Sequence, residues 1–390
     1  MAEKSYELIW SSHHILMDGW SDSVLMQEFL QFYQALQQGE EIYLPATRPY
    51  KDYITWLQQQ DVSQAEAYWK QTLQGFNAPT PLVVDKVKTQ SSQPSESYEH
   101  QYFYLSATAT ATLKNFVQEH RLTAFTLIQA AWGLLLSRYS GELDVVFGAT
   151  VSGRPPDLVG VESMVGLFVN TLPVRLQVEE NTDIINWLQK IQTQQIERDR
   201  YSWSPLVEIQ GWSDVPRGQS LFESFVVFEN LPVAQESSEI SDGLQIVSTT
   251  DTGHADYPLI VRVLPTEELT LKFIYASDRF SADTIKRMAG HFETLLMGIV
   301  NCPHHQPLKL PILTDTEKRL LLVDWNQTQA ENPLKQGIHE LVAAQVEKTP
   351  TTIAIVQDNQ KLTYQELNQR ATQLAHYLQR IGVEADVPEG

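Results

Sequence analysis

Between His100 and Val300, strand-like and helix-like patterns follow one another without strict alternation, and this order restricts the fold more than any other property of the chain. A strand (YFYLS) precedes two helices, Ala109 to His120 and Ala124 to Tyr139. A second strand (DVVFGAT), a Gly/Pro loop and a third strand (GLFVNTLPVRL) come next. A helix carrying Ile184, Leu188 and Ile191 leads to the strands SFVVFEN, PLIVRVL and LTLKFIY, and a last helix sets Ile285, Met288, Phe292, Leu295 and Ile299 on one face. A doubly wound parallel sheet needs regular alternation, so the pattern predicts a layered α/β (α+β) sandwich. The most apolar stretch, LTAFTLIQAAWGLLLSRY at Leu122 to Tyr139, is broken by Thr, Gln, Gly, Ser and Arg and reads as a buried helix rather than a membrane span.

The rest of the 390 residues leaves room for two or three domains. Tyr6 to Trp10 alternates, with Leu8 and Trp10 on one face, and predicts a strand running on to His14, with His13 facing the other way. After a tight turn at Asp18-Gly19, the cluster Ser21, Asp22, Ser23 offers caps for a helix that carries Leu25, Phe29, Phe32 and Leu36 and stops at Gly39. Ser63 and Glu66 form a capping-box pattern for a helix through Trp69 and Leu73. Ala78 to Glu99, rich in Pro, Ser, Thr and Gln, predicts an interlobe linker. Beyond Cys302, a connector with one short helix holds a second double histidine, His304 and His305, expected in solvent, and a third pattern begins near Ile338 with a helix, a strand (IAIVQ), LTYQEL and another helix.

Charge and cysteine content narrow the partners and the compartment. A formal net charge of −20 argues against a general nucleic-acid or anionic-membrane surface, so an acidic partner would need a local basic patch. The single cysteine, Cys302, excludes an internal disulfide and suits a reducing cytoplasm. The start, MAEKSYELIW, has no basic region leading into an apolar core, so no signal peptide is expected.

The stretch SSHHILMDGW at Ser11 to Trp20 carries the chemistry. Metal binding fits poorly: adjacent strand histidines diverge, and neither HExxH, CxxC nor an obvious third ligand is present. Two incidental histidines before an Asp-Gly turn are a second reading. A third is an imidazole projecting from a strand end before a turn that fixes it, placed to handle a proton in acyl transfer, with a buried Asp holding the turn through an ion pair. This last reading gives only one histidine a chemical role.

HHILMDG at His13 to Gly19 resembles the HHxxxDG motif of condensation domains from nonribosomal peptide synthetases, distant relatives of chloramphenicol acetyltransferase. Other stretches resemble the same family in the right order: YKDYITW at Tyr50, Ser152-Gly153-Arg154, VGLFVNTLPVR at Val165, YSWSPLVEIQ at Tyr201, and Tyr257-Pro258-Leu259. LTYQEL at Leu362 resembles the first core motif of adenylation domains. The ordered set covers nearly the whole chain.

The resemblance implies a chloramphenicol-acetyltransferase-like fold. It divides the chain into the end of a first lobe (residues 1–85), a complete second lobe (86–302), a linker (303–335) and the start of an AMP-binding adenylation domain (336–390). The implied chemistry is amide formation between acyl groups carried on phosphopantetheine arms of upstream and downstream carrier domains, with no cofactor held by this chain itself. His14 is the implied central residue, as base or as positioning group; His13 and Gly19 shape the turn, with a backbone N–H near Gly19 available to an oxyanion. Trp20, Arg154, Asn170 and Tyr257 are implied substrate contacts, although Tyr257 fits a turn before a strand equally well. The family places most of the first lobe, and the arginine that pairs with the motif Asp, ahead of HHxxxDG, so Asp18 is expected to lack its partner and the chain alone is expected to be inactive. A carrier-docking scaffold and an epimerisation domain are the alternatives.

Overall fold

The computed structural model describes residues 6–82, 97–229, 257–328 and 337–383. They divide into two compact units, residues 1–318 and 319–390. In the first unit, α1 (Gly19–Gln38), α2 (Lys51–Leu57) and α3 (Val62–Leu73) precede β1 (Tyr98–Tyr104), α4 (Ala107–Glu119), α5 (Ala124–Ser140) and β2 (Asp144–Val151). Then come β3 (Asn170–Gln177), α6 (Ile184–Asp199), α7 (Leu206–Trp212), β4 (Ser224–Phe228), β5 (Leu259–Leu264), β6 (Thr270–Ala276) and α8 (Ala282–Asn301).

The strands form one six-stranded mixed sheet in the order β1-β6-β5-β4-β2-β3. β4 runs parallel to both β2 and β5, while the other pairs are antiparallel. Alternation along β2 sends Val145 and Phe147 into a large core with α4, α5 and α8, whereas Val146 joins Trp69, Leu73, Ile209 and Phe222 in a second core under α3 and α7. Helices therefore cover both faces of the sheet, as the non-alternating pattern predicts. α5 is buried without interruption from Thr126 to Ser137, which explains why its sequence is apolar all round.

Three local expectations change. Tyr6 to His13 forms no strand: among the described residues none pairs with it, and Tyr6, Leu8, Ile9 and Trp10 stay exposed. The cap of α1 is Asp18 itself rather than Ser21, Asp22 or Ser23, and Phe29, Phe32 and Leu36 on that helix are exposed. The cap of α3 is Asp61, whose carboxylate accepts from the N–H groups of Ser63 and Gln64, in place of the expected box. In both helices a carboxylate accepts hydrogen bonds at the start of the first turn, where the helix dipole also favours negative charge.

Of the expected linker at Ala78 to Glu99, Leu82 lies in the main core, Thr80 accepts from the Val146 N–H at 2.7 Å, and residues 83–96 lie outside the described residues. Residues 303–318 pack into the first unit. Leu310 is in the main core, the His305 carbonyl accepts from Ile184 N–H at 3.0 Å, and Arg138 donates to the Leu310 carbonyl at 3.2 Å. Buried His291 bridges Tyr139 Oη (2.7 Å) and the Glu317 carboxylate (3.0 Å). α9 (Asp315–Leu322) runs across the division between the units.

The second unit holds α10 (Ile338–Lys348), a hairpin of β7 (Ile353–Gln357) and β8 (Gln360–Thr363), and α11 (Tyr364–Arg380). LTYQEL spans the end of the hairpin and the start of α11, where Thr363 and Glu366 form a capping box. Among the described residues no helix is long and apolar enough to cross a membrane.

Candidate active site

Asp18 is the hub on which the motif residues converge. Its backbone is extended (φ −110°, ψ 174°), which turns its side chain over the first turn of α1, and Oδ1 accepts from the Ser21 N–H at 2.9 Å. The same carboxylate reaches the FVNT stretch: Oδ2 accepts from the N–H groups of Phe168 and Val169, both at 3.0 Å. Those two donors are diverted from the sheet ladder, so β3 begins only at Asn170 and not at the expected Gly166. Asp18 is also paired, contrary to expectation. Arg154 Nη2 lies 3.3 Å from Oδ1, and both side chains are almost completely buried. Burial alone would raise the Asp18 carboxyl, but the hydrogen bonds from Ser21 and Phe168 and the Arg154 charge outweigh it and leave the group below its ordinary value.

Arg154, implied as a substrate contact, is committed to this anchor. It donates to the Val161 carbonyl, the Met164 carbonyl (2.9 Å) and the Ser21 hydroxyl (3.1 Å), and its guanidinium carbon lies 3.9 Å from the Phe168 ring centroid and 5.5 Å from that of Trp20. Ser21, which the sequence marks only as a possible cap, is fully buried; its Oγ lies 2.8 Å from both Asp18 Oδ1 and the Gly166 carbonyl and accepts from the Gly166 N–H at 3.1 Å.

Around this hub, long-range bonds fasten the loop between β2 and β3. Trp20 Nε1 donates to the Glu162 carbonyl (2.8 Å), Tyr50 Oη to the Leu167 carbonyl (2.5 Å), and Trp56 Nε1 to Asp157 (3.0 Å). Two glycines are required by close approach. Gly153 sits at φ +61°, where a Cβ would come 1.8 Å from the Phe168 carbonyl oxygen, and a Cβ on Gly166 would enter the Tyr50 ring at 2.0 Å. Gly153→Ala is expected to cost about 1–3 kcal/mol in backbone strain, with more from displacing Phe168 off Asp18. Urea unfolding checks this, and an unchanged midpoint would contradict the geometry.

The two histidines are exposed and are held in different ways. His14 Nδ1 lies 2.9 Å from the Met17 carbonyl oxygen, which only accepts, so the proton sits on Nδ1 and Nε2 presents a lone pair. His13 Nδ1 is 3.1 Å from the Ile15 N–H and must accept, which places its proton on Nε2. The expected strand is absent, and His14 to Leu16 form a turn instead. Gly19 opens α1 and is exposed, and a first-turn N–H of a helix has no intrahelical partner.

The remaining implied contacts, Asn170 and Tyr257, bond and stack within residues 170–257. Asn170 Nδ2 donates to the carbonyls of Ser202 (2.8 Å) and Ser204 (2.7 Å), and its Oδ1 accepts from the Thr171 N–H, so its amide straps the YSWSP turn to β3. Tyr257 stacks on Phe222 and Phe225 with centroids 5.1 and 5.4 Å away. Among the described residues no group of three or more His, Cys, Asp or Glu could hold a metal ion.

Residues 1–322 match the family model described as "Condensation domain", and residues 342–388 match "AMP-binding enzyme". The chain is 38% identical over 387 residues to tyrocidine synthase 3 of Brevibacillus parabrevis, an alignment covering 98% of this chain and 6% of that protein. It is 37% identical to chondramide synthase cmdD of Chondromyces crocatus, covering all of this chain and 10% of that protein. The chain thus spans a small fraction of the length of these curated relatives. Its fold superposes on a crystal structure of a four-domain nonribosomal peptide synthetase bound to AMP and glycine with a TM-score of 0.75 at 18% identity, covering 94% of this chain and 29% of that one.

Proposed function

The chain belongs to the condensation-domain family, and from that premise we propose that it joins two acyl groups held as thioesters on the phosphopantetheine arms of upstream and downstream carrier domains, in the cytoplasm. The acceptor α-amine attacks the donor thioester carbon: an N–C bond forms, the C–S bond breaks, and the amine proton passes by way of His14 Nε2 to the departing thiolate. The product is an amide on the downstream carrier. Residues 1–85 and 86–302 contribute first-lobe and second-lobe parts of this domain, 303–335 the connector and 336–390 an AMP-binding segment.

The observation that carries this reading is the contact of His14 Nδ1 with the Met17 carbonyl, which favours a proton on Nδ1 and a lone pair on Nε2, on a turn fixed by the buried Asp18–Arg154 pair. A free α-amine has a pKa of about 7.7 to 8.0, so His14 has to accept a proton mainly as the tetrahedral adduct forms. His13 and Gly19 shape the turn, Trp20 and Arg154 hold it to the second lobe, and Asn170 and Tyr257 shape the wall beyond it. The test supplies two loaded carriers to a synthetase carrying this sequence and weighs the downstream carrier. Gain of the donor acyl mass is the expected result. No transfer would favour a docking scaffold, and a donor returned with an inverted α-carbon and no amide would favour epimerisation.

A further inference from the structure

The six-stranded sheet is covered unevenly on the face that carries the second core. There α3 and α7 pack over β2 and β3, whereas the side chains that β5, β6 and β1 present on that face join neither core cluster. One row crosses these strands in register: Val227 of β4 lies beside Arg262 of β5, Arg262 opposite Lys272 of β6, and Lys272 opposite Tyr102 of β1. Their neighbours Val226, Val261, Leu271 and Phe103 turn the other way, into or against the main core. Like charges directly opposite each other weaken a sheet, so a cross-strand Arg–Lys pair calls for anions. Glu229 supplies one to Arg262 at 3.5 Å. Lys272 has no carboxylate within ion-pair distance among the described residues, and its Nζ lies 5.4 Å from the centroid of the exposed Tyr102 ring. In a chain of net charge −20, this is a local basic point of the kind an acidic ligand requires.

We propose that Lys272, with Arg262 beside it, holds the phosphodiester of one carrier's phosphopantetheine arm, laid along this face of the sheet. The inference rests on the reading of the chain as joining carrier-bound thioesters. A phosphodiester offers one negative charge and two free acceptor oxygens, which a lysine ammonium meets as a point charge. The spacing agrees with the length of the arm. Asp18 is bonded to Phe168 and Val169 just ahead of β3, and Lys272 lies on β6, reached in the order β3-β2-β4-β5-β6. Four strand spacings of about 4.8 Å make roughly 19 Å. An extended arm has about thirteen bonds from phosphorus to sulfur and reaches roughly 15 Å at the per-bond rise of an extended backbone. The lysine stem covers the rest. The level along the strands agrees as well: one residue beyond the Ala149–Val226 pair, Val227 stands level with Thr150, next to the Val151–Asn170 pair at which β3 begins.

The test compares acyl thioesters of pantetheine with those of its methyl phosphodiester, which keeps the single charge of the carrier-bound arm. Each is supplied as free donor and as free acceptor to the synthetase carrying this sequence and to its Lys272→Met, Lys272→Arg and Arg262→Gln variants. The unaltered protein should favour the phosphorylated thioester in kcat/KM on one of the two substrates. Lys272→Met should reduce that preference about tenfold, the lower end for a hydrogen bond to a charged group. Lys272→Arg should keep most of it, and Arg262→Gln should lose a smaller part. Calorimetric titration with the methyl phosphodiester of pantetheine should show the same loss of affinity in Lys272→Met, and added salt should weaken binding to the unaltered protein. A preference absent from the unaltered protein, or one that Lys272→Met leaves in place, overturns the phosphate contact while transfer stands. A loss seen with whole carriers and with neither free thioester overturns it too, and puts an acidic carrier surface on this face. No transfer by the unaltered protein with any substrate, loaded carriers included, overturns the reading on which the inference rests.

Discussion

His14→Ala should abolish transfer while both carriers still load, a loss on the order of a hundredfold or more for removal of a well-placed acid-base group. The expectation follows from the hydrogen bond to the Met17 carbonyl, which selects the tautomer that leaves Nε2 basic. His13→Ala should cost only a few-fold, because that ring accepts the Ile15 N–H and thereby serves the shape of the turn. Mass spectrometry of the downstream carrier separates the two outcomes. Normal transfer in His14→Ala would remove the chemistry from this ring and leave a docking scaffold as the better account.

Asp18→Ala should lower stability by about 3–5 kcal/mol, the usual cost of breaking a buried pair. The substitution leaves the Arg154 guanidinium buried without its anion, and the N–H groups of Ser21, Phe168 and Val169 lose their acceptor. Arg154→Ala should approach the same loss from the other side, and the double variant should cost less than the sum. Because the Asp18 carboxyl is held below its unfolded value, its contribution is present above about pH 3.9 and fades as pH falls through the depressed folded value. Urea titrations near neutrality and in acid measure both effects. An Asp18→Ala variant with an unchanged midpoint and no activity would instead place the carboxylate in the chemistry.

Much of the fold between His100 and Val300 is legible in the sequence because its helices and strands carry their own burial pattern: Ile285, Met288, Phe292, Leu295 and Ile299 are all buried, as their spacing requires. The motif residues are legible as a set and much less so as a geometry. Arg154 enters as an implied substrate contact, and nothing in its local pattern says that it closes on a carboxylate 136 positions earlier. Phe168 and Val169 read as strand, since alternation cannot show that their N–H groups turn to a side chain instead of a neighbouring strand. Tyr6 to Trp10 is the reverse case, where alternation predicts a strand that needs a partner to exist. Asn170 is recognisable as a group needing partners, but only the fold shows that the carbonyls of Ser202 and Ser204 supply them.

The hub also sets a schedule for the growing polypeptide. The bonds that fix Asp18 to Arg154, Phe168 and Val169 span 136 to 151 positions, so the motif leaves the ribosome long before the residues that give it shape. At 5–20 residues per second, the 136 positions between Asp18 and Arg154 take about 7 to 27 s to make. Throughout that interval, the turn bearing His14 has its sequence but not its anchor. Stalled nascent chains should therefore change at a defined length: α1 should be readily cleaved by protease when synthesis halts before residue 150 is exposed, and should resist once residue 170 has cleared the exit tunnel.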